Sequence, residues 1–128
     1  MGLFDSIKQA VAESPGRVSK IFLEEAQQAM NQMSETNRRR VLLAFLDKRD
    51  EVSGKISNMT EDGGLRMARE FQVAGNKLKK SSPLEGYPLL LVGLWLETYY
   101  RPGVDAYEVY DYLACLTVPF RYGRPSES

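Results

Sequence analysis

The chain is expected to be all-α, a compact bundle of about five to six helices in a single domain. Three observations carry that expectation. Apolar residues recur at three- and four-residue steps along most of the chain, and no stretch sustains period-two alternation. Proline and glycine separate the periodic segments, and Ser, Thr or Asp stands ahead of several of them as a candidate cap. Asp62-Gly63 falls between helical patterns, and no Asn-Gly or Asp-Gly pair falls between two β-branched runs. At 128 residues the chain has the commonest size of one domain, and such a chain buries roughly two thirds of its unfolded surface. The helical domain is assigned to residues 1–122, and the polar end, 123–128, to a flexible tail.

Leu3, Phe4, Ile7 and Val11 predict a short amphipathic helix near residues 3–13. Ser14 and Pro15 end it and start the next, near 15–33, because proline at a first helical position loses no hydrogen bond. Val18, Ile21, Phe22, Ala26, Ala29, Met30 and Met33 share one face of that helix. Ser34 or Thr36 caps a third helix near 36–59. Its run from Val41 to Leu46 is apolar through more than a full turn and must be covered on most sides. Gly54 marks a bend or a close crossing within it.

Thr60, followed by Glu61 and Asp62, starts a fourth helix near 62–80, since acids suit the positive end of the helix dipole. Leu65, Ala68, Phe71 and Leu78, with small Gly75, are expected to be its buried face. Ser81, Ser82, Pro83 and Gly86 are taken as a loop, after which Pro88 opens a fifth helix near 88–100. Its run Leu89 to Leu96 is too short to span a bilayer, which takes roughly 20 residues, and suits a buried core helix. Asp105 and Glu108 resemble a capping box for a sixth helix near 105–118, stopped by Pro119.

The chemistry available to the chain is narrow. It has no histidine, which removes the commonest general base and the commonest metal ligand. Cys115 is the only cysteine, so neither an intrachain disulfide nor a structural zinc site is expected. A reducing, cytoplasmic setting is the natural expectation. No phosphate-cradling glycine motif follows a strand pattern, and the acids lack calcium-loop spacing. No enzyme, cofactor or metal centre is expected.

Two asymmetries remain as candidate functional surfaces. All seven tyrosines lie in the last 42 residues, and tyrosine combines apolar area with a polar tip that suits an interface. Tyr99, Tyr100, Tyr107, Tyr110 and Tyr112 are the candidate protein-contact residues. On the sixth helix Tyr107 and Tyr112 point about 140° apart, so at least one of Tyr107, Tyr110 and Tyr112 is expected to be partly exposed. The second asymmetry is charge. Lys plus Arg and Asp plus Glu each total 17, yet residues 37–80 carry eleven positive and six negative groups. Arg38, Arg39 and Arg40 at a helix start oppose its dipole and invite an anionic partner. Arg66, Arg69, Lys77 and Lys80 share much of one face of the fourth helix. The bland explanation is a solvated face paired with Glu35, Glu51 and Glu70.

The leading functional expectation is therefore a helical protein-interaction module, an adaptor, assembly factor or small subunit, engaging a protein partner or a second copy of itself. The alternative is a nucleic-acid-associated protein that tracks backbone phosphate through the basic residues. Met1-Gly2-Leu3-Phe4-Asp5-Ser6 fits the myristoylation pattern, but an ordinary amphipathic helix is preferred there and lipidation is not expected.

Overall fold

A computed structural model describes the backbone of residues 15–100, the side chains of residues 20–100, and Leu113. Among these residues all regular structure is helical: α1 (Pro15–Gln32), α2 (Glu35–Ser53), a 3-10 turn (Ile56–Asn58), α3 (Glu61–Leu78) and α4 (Pro83–Tyr100). The helices expected near 3–13 and 105–118 and the tail at 123–128 lie outside the described residues, save that Leu113 is helical and buried.

The helix starts are set by side-chain caps. Ser34 Oγ accepts from the Asn37 amide at 3.2 Å and Thr60 Oγ1 from the Gly63 amide at 3.0 Å, each satisfying a first-turn donor that has no partner within its helix. Glu35 begins α2, and Glu61 and Asp62 begin α3, so acids sit at the positive ends of both dipoles.

Two expected boundaries are corrected. The single helix expected over 36–59 stops at Ser53. Ser53 Oγ donates back to the Arg49 carbonyl at 2.9 Å, and the Lys55 amide then bonds to the Val52 carbonyl three residues back. That tightening passes into the 3-10 turn, and Met59 is extended before the Thr60 cap. Ile56 and Met59 still pack on the core, so the apolar spacing persists where the helix does not. The second correction concerns the expected loop through Gly86. Ser82 is the last residue outside the helix: its carbonyl accepts from the Glu85 and Gly86 amides at 3.1 and 2.8 Å, and Pro83, not Pro88, opens α4. Pro88 lies inside the helix and is buried, so the apolar packing around it offsets its missing hydrogen bond.

α4 is the axis of the fold, since α1, α2 and α3 all pack on it. Leu90, Leu91, Val92, Leu94 and Leu96 are fully covered. α1 contributes Phe22, Leu23, Ala26 and Met30 to the same core, and α2 contributes Val41, Leu42, Phe45, Leu46 and Val52. Burying one such large side chain is worth about 1.5–3 kcal/mol, so these contacts supply most of what holds α1 and α2 to the axis.

The α3–α4 hairpin is built differently. Its buried α3 residues are Gly64, Ala68, Gln72, Gly75 and Asn76. The expected larger members, Leu65, Phe71 and Leu78, are only half-buried at its margins. Space is the reason. A Cβ on Gly75 would stand 2.5 Å from the Leu90 amide nitrogen, and one on Gly93 would stand 2.7 Å from the Ala68 carbonyl oxygen. The two backbones touch, leaving room only for hydrogen at those points. The chains run antiparallel, with Gly75 beside Gly86 and Leu90, Gly93 beside Ala68 and Gln72, and Gly64 beneath the Tyr100 ring.

Candidate interaction surface

The end of α4 presents the first candidate surface. Tyr99 is the one large hydrophobic side chain exposed among the described residues, at 59%. Tyr100 is half-buried, with its ring over Gly64 and its hydroxyl buried without a partner among the described residues. The two rings meet edge to face, centroids 5.0 Å apart, a favourable aromatic geometry. Successive residues point about 100° apart on a helix. Tyr100 therefore joins the seam stripe while Tyr99 turns outward. Tyr107, Tyr110 and Tyr112 lie outside the described residues.

The basic residues divide by role. Arg38 Nε donates to the Met30 carbonyl at 3.0 Å, and its Nη2 to the Met33 carbonyl at 3.4 Å. These carbonyls end α1, where a cation both satisfies free acceptors and complements the dipole. The need for an external anion inferred for Arg38 from its place at the start of α2 is thus met inside the fold. Arg39 and Arg40 are exposed. On α3, Arg66, Lys77 and Lys80 are exposed, whereas Arg69 is drawn against α4. Glu51, expected to pair with the arginines, instead meets Lys48 at 3.2 Å and Lys55 at 4.0 Å.

Arg69 belongs to a polar network that the sequence did not reveal. Its Nη2 donates to Glu97 Oε1 at 2.9 Å and its Nη1 to Gln72 Oε1 at 2.6 Å. Gln72 Nε2 in turn donates to the Gly93 carbonyl at 3.1 Å and to Glu97 Oε2 at 3.3 Å. Gln72 is fully buried and Glu97 nearly so, so each group's polar demand is answered inside the hairpin. The available signal was Glu97 itself, the one charged residue between Glu85 and Arg101 in an otherwise apolar helix.

A second cluster ties α1 to the other end of the hairpin. Lys79 Nζ pairs with Glu25 and stands 5.8 Å from the centre of the Tyr87 ring. Burial, and secondarily the negative charge of Glu25, push the Tyr87 hydroxyl above its ordinary pKa. Among the described residues no group of three or more His, Cys, Asp or Glu could hold a metal ion, and no helix is long and apolar enough to cross a membrane. Comparison with protein-family models, curated proteins and solved structures finds no match for this chain.

Proposed function

We propose that this protein is a non-enzymatic helical interaction module of the cytoplasm, an adaptor, assembly factor or small subunit, whose contact surface begins at Tyr99. The exposure of Tyr99 carries the reading, because the other large apolar side chains among the described residues are at least partly covered. An exposed aromatic beside a second one is the type of anchor that dominates protein interfaces. The chain then continues into a segment holding Tyr107, Tyr110 and Tyr112. The partner is a protein, either a different chain or a second copy. The phosphate-binding alternative has less support, because Arg38 and Arg69 are engaged within the fold.

A photo-crosslinking amino acid at position 99, introduced in the native cell, tests this directly, with exposed position 70 on α3 as the control. The expected result is one predominant crosslinked protein at 99 and none at 70. Its purified form should bind the wild-type chain and lose about tenfold or more in affinity on Tyr99→Ala, as for an interface anchor. A crosslink between two copies, with a dimer by light scattering that Tyr99→Ala dissociates, identifies the partner as the chain itself. A monomer with no crosslink at 99 above the control refutes the proposal.

A further inference from the structure

α4 poses a problem of orientation. An amphipathic helix has one apolar stripe, and burial of that stripe fixes its rotation about its own axis. Over its middle turns α4 has no narrow stripe of that kind, because Leu90, Leu91, Val92, Leu94 and Leu96 are all covered. Turning the helix exchanges one leucine for another against α1 and α2 at little change in apolar area. The short connection from Leu78 to Pro83 limits sliding of α4 along α3.

The glycines restrict that freedom incompletely. Gly86 and Gly93 let α4 approach α3 closely, and Gly64, Ala68 and Gly75 make α3 shallow there. Leucine from a rotated α4 could enter this shallow groove only at the cost of parting backbones that are now in contact. Glu97 adds a second constraint. It lies four residues after Gly93 and three before Tyr100, on the stripe that faces α3, where it receives Arg69 and Gln72. Rotation of α4 about its axis parts the Glu97 carboxylate from Arg69, and the Gln72 amide loses both Glu97 and the Gly93 carbonyl.

We infer that the Arg69–Gln72–Glu97 network is the rotational key of α4, selecting which face of an apolar helix meets α3. Replacing a whole buried ionic network by apolar groups of similar volume often leaves stability intact. Its role in choosing one arrangement is therefore separable from its role in holding that arrangement. The inference is independent of the partner surface at Tyr99 and is read on the isolated chain.

The test compares Arg69→Met/Gln72→Leu/Glu97→Leu with the exchange Arg69→Glu/Glu97→Arg and with Glu97→Arg alone, by circular dichroism and amide NMR. The triple variant is expected to stay helical while its Gly86 and Gly93 amides split or broaden into more than one environment. The exchange is expected to restore a single set of signals that Glu97→Arg alone loses. If the triple variant shows one sharp set with the wild-type contacts between Gly93 and Ala68, the glycine seam alone orients α4 and the inference fails. Should the triple variant not fold, the exchange decides. A single set supports the key, and a spectrum as heterogeneous as that of Glu97→Arg overturns it.

Discussion

α4 is held on one side by large side chains and on the other by almost none. Toward α1 and α2 the core is Phe22, Met30, Val41, Phe45 and their neighbours. Toward α3 it is Gly64, Ala68, Gly75, Gly86 and Gly93 with one polar network. The first interface gains its energy from apolar area and absorbs small errors of fit by repacking. The second gains from backbone proximity and pairing, and at Gly75 and Gly86 the nearest atoms are all backbone and cannot move aside. The same axis helix therefore has a tolerant face and an intolerant one.

Substitutions that distinguish the two faces sharpen that contrast. On the tolerant side the largest expected effect comes from Phe45→Ala, which leaves a cavity between α2 and α4 and should cost about 3–5 kcal/mol in denaturant unfolding. On the intolerant side a single methyl group suffices. Gly75→Ala places a Cβ against the Leu90 backbone and is expected to cost about 1–3 kcal/mol, with the loss of amide-exchange protection concentrated in α3 and α4. A neutral result there would mean that the hairpin can part without penalty, and the contrast would collapse.

The same exchange at Gly54 should have the opposite sign. Its Cβ would meet only the Glu51 carbonyl, at 3.6 Å, and its backbone is already helical. Gly54→Ala is expected to raise stability by about 0.4–1 kcal/mol through the unfolded chain's lost freedom. A smaller effect is expected at Tyr87, which lies at the junction with α1. Its hydroxyl titrates above its ordinary value of 10.0 in the folded chain, so the folded state keeps its proton longer than the unfolded state. The corresponding stability is present below pH 10 and declines as pH rises from there toward the folded value. Tyr87→Phe should flatten that alkaline decline in pH-dependent melting, and an unchanged profile would place its cause elsewhere.

Much of the architecture was legible in local pattern. Caps at Ser34 and Thr60 and the apolar turn from Val41 to Leu46 depend on neighbours in sequence, and the chain states them openly. The start of α4 is not legible locally, because Pro83 and Pro88 are equally competent to open a helix and burial tolerates the second inside it. The buried face of α3 is hidden from local pattern for a related reason. Size and spacing point to Leu65, Phe71 and Leu78, yet the approach of α4 reserves the interior for glycine, alanine, Asn76 and a glutamine whose amide is satisfied across the hairpin.

The candidate sites divide in the same way. Tyr99 and the exposed arginines were visible as residue types with uneven distribution. The engagement of Arg38 with the last carbonyls of α1, and of Arg69 with Glu97, was not. Each pairs groups from different elements, eight residues apart in one case and twenty-eight in the other.

Local pattern in the sequence settles that the described residues make helices, where most of these helices begin, and that α4 is apolar enough to lie in the core, because propensity, capping and periodicity act over a few residues. Tertiary packing settles which face of α4 meets α3, which of the described cations remain at the surface, and that Tyr99 points to solvent while Tyr100 closes over Gly64. Those outcomes depend on how closely two backbones approach and on which distant polar groups meet, and a one-dimensional pattern holds neither quantity.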